Sequence, residues 1–165
     1  LGGIYMSVDK VREYLRSYGL EDRIKEFDIS TATVAEAAEA VGVIPARIAK
    51  TLSFQSEECG CILVLMAGDA KVDNKKYRAR FGVKPHMLTH DDALQYTGHA
   101  VGGVCPFAVP DSVPVYLDVS LKRFDTVFPA AGSAASAVRL TCDELERASR
   151  SRGWIDVCKG WEEDQ

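Results

Sequence analysis

The 165-residue chain lacks a run that can cross a bilayer. Its longest apolar stretch, Cys61 to Ala67 (CILVLMA), falls far short of the roughly 20 residues a membrane helix needs. No basic segment precedes a long apolar core, so no secretory signal is read and a cytoplasmic location is expected. Leu1 to Tyr5 precede Met6 and read as an extension ahead of a native start. Basic charge is not in excess. The net charge is −4, which excludes a protein that coats nucleic acid over its whole surface. There is no C-x-x-C, and the cysteines (Cys59, Cys61, Cys105, Cys142 and Cys158) are odd in number, so a disulfide framework is not expected. Histidine is scarce. His86 and His90 are spaced for a helical metal pair, but Pro85 and a cap at Thr89 interrupt any helix between them, and no metal site is expected. The chain has no G-x-S-x-G elbow, no G-x-x-x-x-G-K-[ST] loop and no G-x-G-x-x-G opening a helix. Serine-nucleophile, phosphate-loop and dinucleotide chemistries lose their usual signatures.

What is present fits one globular domain covering 1–165, with 159–165 as a tail. Hydrophobic residues make up 47% and charged residues 27%, enough to bury a core. Ser7 reads as the cap of a first helix with Val8, Val11, Leu15 and Tyr18 on one face. A strand comes next, around Ile24–Ile29. Thr33 and Glu36 form a capping box before an alanine-rich helix that stops at Gly42. Pro45 starts a helical turn that ends near Lys50. Strands are expected at Thr51–Ser56 and Cys61–Ala67. Asp73 caps a basic helix closed by Gly82, and Thr89 caps a further helix ending by Gly98. Later pieces at Pro114–Asp118, Thr126–Pro129, Val138–Leu140 and Trp154–Cys158 read as strands. Thr141 and Glu144 cap a last helix to about Ser151. Alternating elements early and strands later imply a mixed α+β sheet with helices packed on it.

Three features carry possible chemistry. The first is Val101–Pro110, VGGVCPFAVP. Gly102 and Gly103 permit backbone conformations and approaches that a Cβ forbids, and the prolines stiffen the rest of the loop. The loop is either a tight turn or a site whose Gly102 and Gly103 amides meet an anion or polarised carbonyl. Next is Lys50, alone among apolar residues in IPARIAKTLSF. It either snorkels to water or meets an anionic partner. The third is KVDNKKYRARFGVK, where Lys71, Lys75, Lys76, Arg78, Arg80 and Lys84 outnumber Asp73. It is either a solvated face or a steering patch for a polyanion. His99, without an evident carboxylate partner, reads as structural. Cys105 has apolar neighbours and reads as a pocket wall rather than a nucleophile.

IAKTLSF, GDAKVDNKKYRARFG, TGHAVGGVCPFAVP and FDTVFPAAGSA, in that order, resemble the YbaK-like aminoacyl-tRNA deacylases. These are editing domains related to the insertion domain of bacterial prolyl-tRNA synthetase. The resemblance runs from the first helix to Cys158. It implies an α/β fold of mixed α+β type, a curled and partly barrel-like mixed sheet with helices outside. The implied activity is hydrolysis of the ester of mischarged tRNA, here of tRNA for proline carrying a small wrong amino acid. No cofactor is implied, and prolyl-tRNA synthetase is an implied partner. Lys50 matches the family's lysine that holds substrate and the tRNA terminus. Gly102 to Pro106 matches its G-x-x-x-P loop, thought to position the ester and attacking water. Lys50, Gly102 and Gly103 are therefore the expected catalytic set. Val104, Cys105, Pro106, Phe107, Ala131, Gly132 and Ser133 are the expected pocket. Some family branches place basic residues after the second loop's glycine. Here Ser133, Ala134 and Ala135 come after Gly132, so tRNA contact shifts to Lys75, Lys76, Arg78 and Arg80. Two alternatives stay open: a non-catalytic module binding tRNA or a synthetase, and a hydrolase of other small aminoacyl esters.

Overall fold

The computed structural model describes residues 7–161. The reading of Met6 as the native start lies outside them. Helix α1 (Ser7–Arg16) buries Val8, Val11 and Leu15 along one stripe. Ser7 lies within this helix, and its hydroxyl reaches His99 Nδ1 at 2.5 Å rather than capping a helix end. Strand β1 (Ile24–Glu26) is shorter than expected. Helix α2 (Val34–Val41) opens on the expected box. Thr33 Oγ1 accepts from the Glu36 amide at 3.1 Å, and Glu36 accepts from the Thr33 amide at 3.2 Å. The helical turn at Pro45–Arg47 is a single 3-10 turn, and β2 (Ile48–Ser56) begins immediately after it. Lys50 is thus a strand residue, not the end of a helical turn.

Strand β3 (Gly60–Ala67) forms a hairpin with β2, in register from Ala49–Ala67 to Ser56–Gly60. Its residues Cys61–Ala67 are buried throughout, which is why the segment carries no alternating pattern. Strand β4 (Lys71–Val72) leads to α3 (Asn74–Phe81), capped by Asp73, and α4 (His90–Thr97) is capped by Thr89. Strands β5 (Val115–Asp118) and β6 (Thr126–Pro129) come after them. The strand expected at 138–140 is two strands, β7 (Ser136–Val138) and β8 (Leu140–Thr141). The chain changes partners at Arg139: β7 pairs with β1, and β8 with β6. Helix α5 (Cys142–Ala148) is shorter than expected. The closing strand also divides, into β9 (Trp154–Ile155) and β10 (Cys158–Lys159), where the Val157 amide turns to Asp118 Oδ1 at 2.9 Å. Lys159 is not frayed, because it pairs with Lys71, and Trp161 stacks on Arg123.

A curled six-stranded mixed sheet results, in the order β8-β6-β2-β3-β5-β9, with the β1-β7 and β4-β10 pairs beside it. Among the described residues five α-helices pack around it. The main core gathers the β3 residues, Val11 and Leu15 of α1, and Leu145 and Ala148 of α5. A second cluster joins Ala37 and Ala38 of α2 to Ile48 and Phe128. No helix of the described residues is long and apolar enough to cross a membrane.

Helix α5 is tied to the first half of the chain by its cap. Glu144 accepts from the Thr141 amide at 2.9 Å and from Arg23 at 2.8 and 2.9 Å. The Arg23 hydrogen bonds hold the Glu144 carboxyl below its usual range. This coupling stabilises the fold above the ordinary carboxylate range and is lost as pH falls through the lowered value. Thr141→Ala removes the cap's acceptor and is expected to cost about 1 kcal/mol at neutral pH. Urea unfolding checks this, and an unshifted midpoint would contradict it.

Candidate active site

The pairing of β2 decides where a cleft can form. On one side β2 is fully paired with β3. On the other it pairs in parallel with β6 only at Ile48 and Ala49. Further along, Gln55 donates to His86 O at 2.8 Å and Ser53 O accepts from Leu88 at 3.1 Å. Between these pairings the edge of β2 is open. A cleft of about 330 Å³ occupies this gap. Its walls include Lys50 to Ser53 of β2, Thr31 to Val34 at the start of α2, Met87 and Leu88, Val101, Gly102 and Val104, Phe128 and Ala130.

Lys50 is half-buried and lines this cleft. Its Nζ donates to Gly68 O at 3.3 Å. Burial pulls its pKa below the ordinary lysine value, with Lys71 adding to the shift and Cys158 and Asp69 opposing it. Asp69 does not pair with Lys50. It is held by Arg123 through contacts of 2.6 and 3.0 Å. Among the described residues no aspartate or glutamate lines the cleft. The site thus presents a cation in a mostly apolar hollow with no carboxylate partner, a setting that favours an anion or developing oxyanion.

The glycine loop forms the tight turn that the sequence allowed. Gly103 N–H donates to Ala100 O at 3.0 Å, closing a tight turn. Gly102, at φ +85°, supplies the positive φ that the third position of a type II turn requires. The expectation of two free amides is corrected for Gly103, whose amide is spent on the turn. The Gly102 amide has no acceptor among the described residues. Gly103 serves close approach instead. A Cβ there would stand 2.7 Å from the backbone of Gly132 and Ser133. The two small-residue loops therefore meet backbone to backbone.

The expected pocket wall is only partly the observed one. Val104 lines the cleft, while Cys105, Phe107 and Ala131 are fully buried in the core. Pro106 faces a separate hollow of about 210 Å³ with Tyr14 and Arg150. Gly132 and Ser133 support the glycine loop from behind rather than lining the cleft. Ser136, missed from sequence, organises their loop. Its Oγ accepts from Ala131 and Ser133 amides at 3.1 and 3.3 Å and donates to Ser133 O at 3.0 Å. Thr31 also went unseen. Its Oγ1 accepts from the Ser136 amide at 3.0 Å and donates to Ser136 O at 3.2 Å. The Thr33 capping box was readable, but nothing local in it says that the helix start faces a cleft.

His99 is structural in this geometry. Nε2 lies 2.7 Å from Phe107 O, which can only accept, so the proton sits on Nε2 and Nδ1 accepts from Ser7. Burial lowers its pKa and keeps it neutral. Around the basic helix the four cations have different employment. Lys76 binds Asp156 at 3.1 Å and Cys158 O at 3.0 Å. Arg80 stacks on Phe81 and Tyr116. Lys75 and Arg78 are exposed, and Tyr77 anchors the helix against Phe54 at 5.1 Å.

Residues 29–148, which carry every wall of the cleft named above, match the family model for the aminoacyl-tRNA editing domain. The chain belongs to that family. It is 54% identical over 157 residues, 95% of this chain and 100% of the relative, to the uncharacterized protein YwhH of Bacillus subtilis. EbsC of Enterococcus faecalis, a candidate Cys-tRNA(Pro)/Cys-tRNA(Cys) deacylase, is 28% identical over 66% of both chains. A proline–tRNA ligase of Limosilactobacillus fermentum is 30% identical over 54% of this chain, which spans 17% of that longer protein. A solved structure described as a candidate trans-editing enzyme for prolyl-tRNA synthetase superposes with a TM-score of 0.83. It is 31% identical, covering 93% of this chain and 98% of its own. The editing-domain fold thus accounts for nearly the whole chain.

Burial pushes the Cys105 thiol up to about 12, so it stays protonated and inert near neutrality. In the folded domain Cys105 is expected to resist iodoacetamide at pH 8. Peptide mass mapping checks this, and rapid alkylation at Cys105 would reverse its assignment to the core.

Proposed function

We propose that this editing domain is a deacylase that hydrolyses the ester of mischarged tRNA, with tRNA for proline carrying a small wrong amino acid as substrate. The observation that carries this reading is Lys50, a half-buried cation in a cleft with no carboxylate among its described walls, which Gly102 also lines. An aminoacyl ester is already activated. Its hydrolysis needs a positioned water and donors where negative charge develops. Lys50 supplies charge to the oxyanion or the terminal phosphate, and Gly102 supplies a backbone donor. Gly103 holds the loop in place and touches no substrate in this scheme. The small volume and apolar lining of the cleft suit a short side chain. Its walls discriminate by size, at about 1–3 kcal/mol per methylene.

Likeness to domains of proline–tRNA ligases and to a candidate trans-editing enzyme supports action in partnership with that synthetase. Of the basic helix, Lys75 and Arg78 are placed to meet tRNA phosphates. Lys76 and Arg80 hold the helix to the body.

Lys50→Ala is expected to lower the deacylation rate of mischarged tRNA by about 100-fold or more, the scale of losing one oxyanion donor, with the fold intact by circular dichroism. Because the ammonium is the active form and burial lowers its pKa, the enzymatic rate should fall with rising pH before an ordinary lysine titrates. Near-wild-type turnover by folded Lys50→Ala would defeat the assignment. Absence of hydrolysis by the wild type across small amino acids would instead favour the non-catalytic binding module. Lys75→Glu with Arg78→Glu should weaken tRNA binding and flatten its dependence on salt. An unchanged salt slope would make this helix merely a solvated surface.

A further inference from the structure

The open edge of β2 has a chemical content of its own. Backbone groups along a strand point to alternate sides. Ser53 and Gln55 bond toward Leu88 and His86, and Ala49 pairs toward β6. Thr51 has the same parity. Its N–H and C=O therefore point into the gap, away from β3, and neither has a partner among the described residues. The side-chain oxygen is in a similar condition: Thr51 Oγ1 is buried and has no hydrogen-bond partner. Thr51 lines the cleft next to Lys50. One residue thus brings two unpaired acceptors and an unpaired donor to the floor of the site. Leaving the buried hydroxyl unpaired costs about 1–3 kcal/mol.

We propose that Thr51 is the receptor for the α-amino group of the aminoacyl substrate. Its C=O and Oγ1 accept hydrogen bonds from the amine, and its N–H is left to face the adjoining carbonyl oxygen. This rests on the editing reading above and specifies how that cleft recognises an amino acid. The absence of Asp and Glu from the lining supports it. A site that cannot neutralise an amine with a carboxylate must hold it with neutral acceptors, and Thr51 is where unpaired ones occur. The nearby Lys50 disfavours a charged amine, so the neutral amine is the form received. An α-amine titrates near pH 8, which makes that form accessible.

The test uses a stable analogue, 3′-alanylamino-3′-deoxyadenosine, and its N-acetyl derivative, with binding to the full chain read by calorimetry. N-acetylation is expected to weaken binding to the wild type by about ten-fold or more, the scale of a lost hydrogen bond to a polar group in a dry site. In Thr51→Val, which keeps the shape but loses Oγ1, the penalty for N-acetylation should shrink to about three-fold or less. Thr51→Ser should restore it, which a merely structural role for the methyl or the strand would not do. Equal binding of both analogues by the wild type overturns the proposal, as does an undiminished penalty in folded Thr51→Val. Deacylation of mischarged tRNA by the wild type, measured alongside, keeps the editing reading standing if the Thr51 proposal falls. A wild type that neither binds the analogues nor deacylates overturns both.

Discussion

The site depends on one strand changing partners along its outer edge. β2 gives two residues to β6 and then turns to the segment around Met87, leaving the stretch between them without a neighbour. A fully paired edge would have filled the gap with a ladder, and no cleft of this kind could reach the interior. An open edge elsewhere in a protein invites another chain to add on. Here the start of α2, the glycine loop and residues Ala130, Ser136 and Ala137 of the second small-residue loop line it.

Electrostatics then fixes what kind of guest the gap suits. Asp69 would be the natural counter-ion for Lys50, but Arg123 holds it by both oxygens. The lysine is left with Gly68 O as its partner and bears a desolvation cost. Burial keeps the Cys105 and Cys158 thiols protonated and lowers the pKa of the His99 imidazole. Reactive groups are thus present in the sequence but are disarmed by packing, while Lys50 has only a neutral carbonyl as partner and the Thr51 hydroxyl has none.

Much of the fold was legible because its punctuation is local. The capping boxes at Thr33 and Thr141, the caps at Asp73 and Thr89, and the helix stops at Gly42, Gly82 and Gly98 need only neighbouring residues to form. Lengths failed where a strand changes partner, at Arg139 and Val157, since such switches are decided by residues far along the chain. Lys50 and Gly102 stood out by being odd for their surroundings. Cys105, Phe107 and Ala131 were assigned to the pocket because they flank the glycines. In the structure their side chains point to the core, and a loop's sequence does not say which way each residue faces. Thr51 and Ser136 carried no signal at all, as a threonine in a strand and a serine in a small-residue loop are ordinary. Their importance comes from what their neighbours leave unpaired.

The cleft without carboxylates has a consequence for a protein working on RNA. Transfer RNA travels with a cloud of magnesium ions, and an acidic active site near it would gather them. Among the described residues this lining offers hydroxyls, backbone, one imidazole and one ammonium, and lacks the carboxylates that hold hard divalent cations most strongly. The hollow therefore gives magnesium little to hold where an acidic one would collect it.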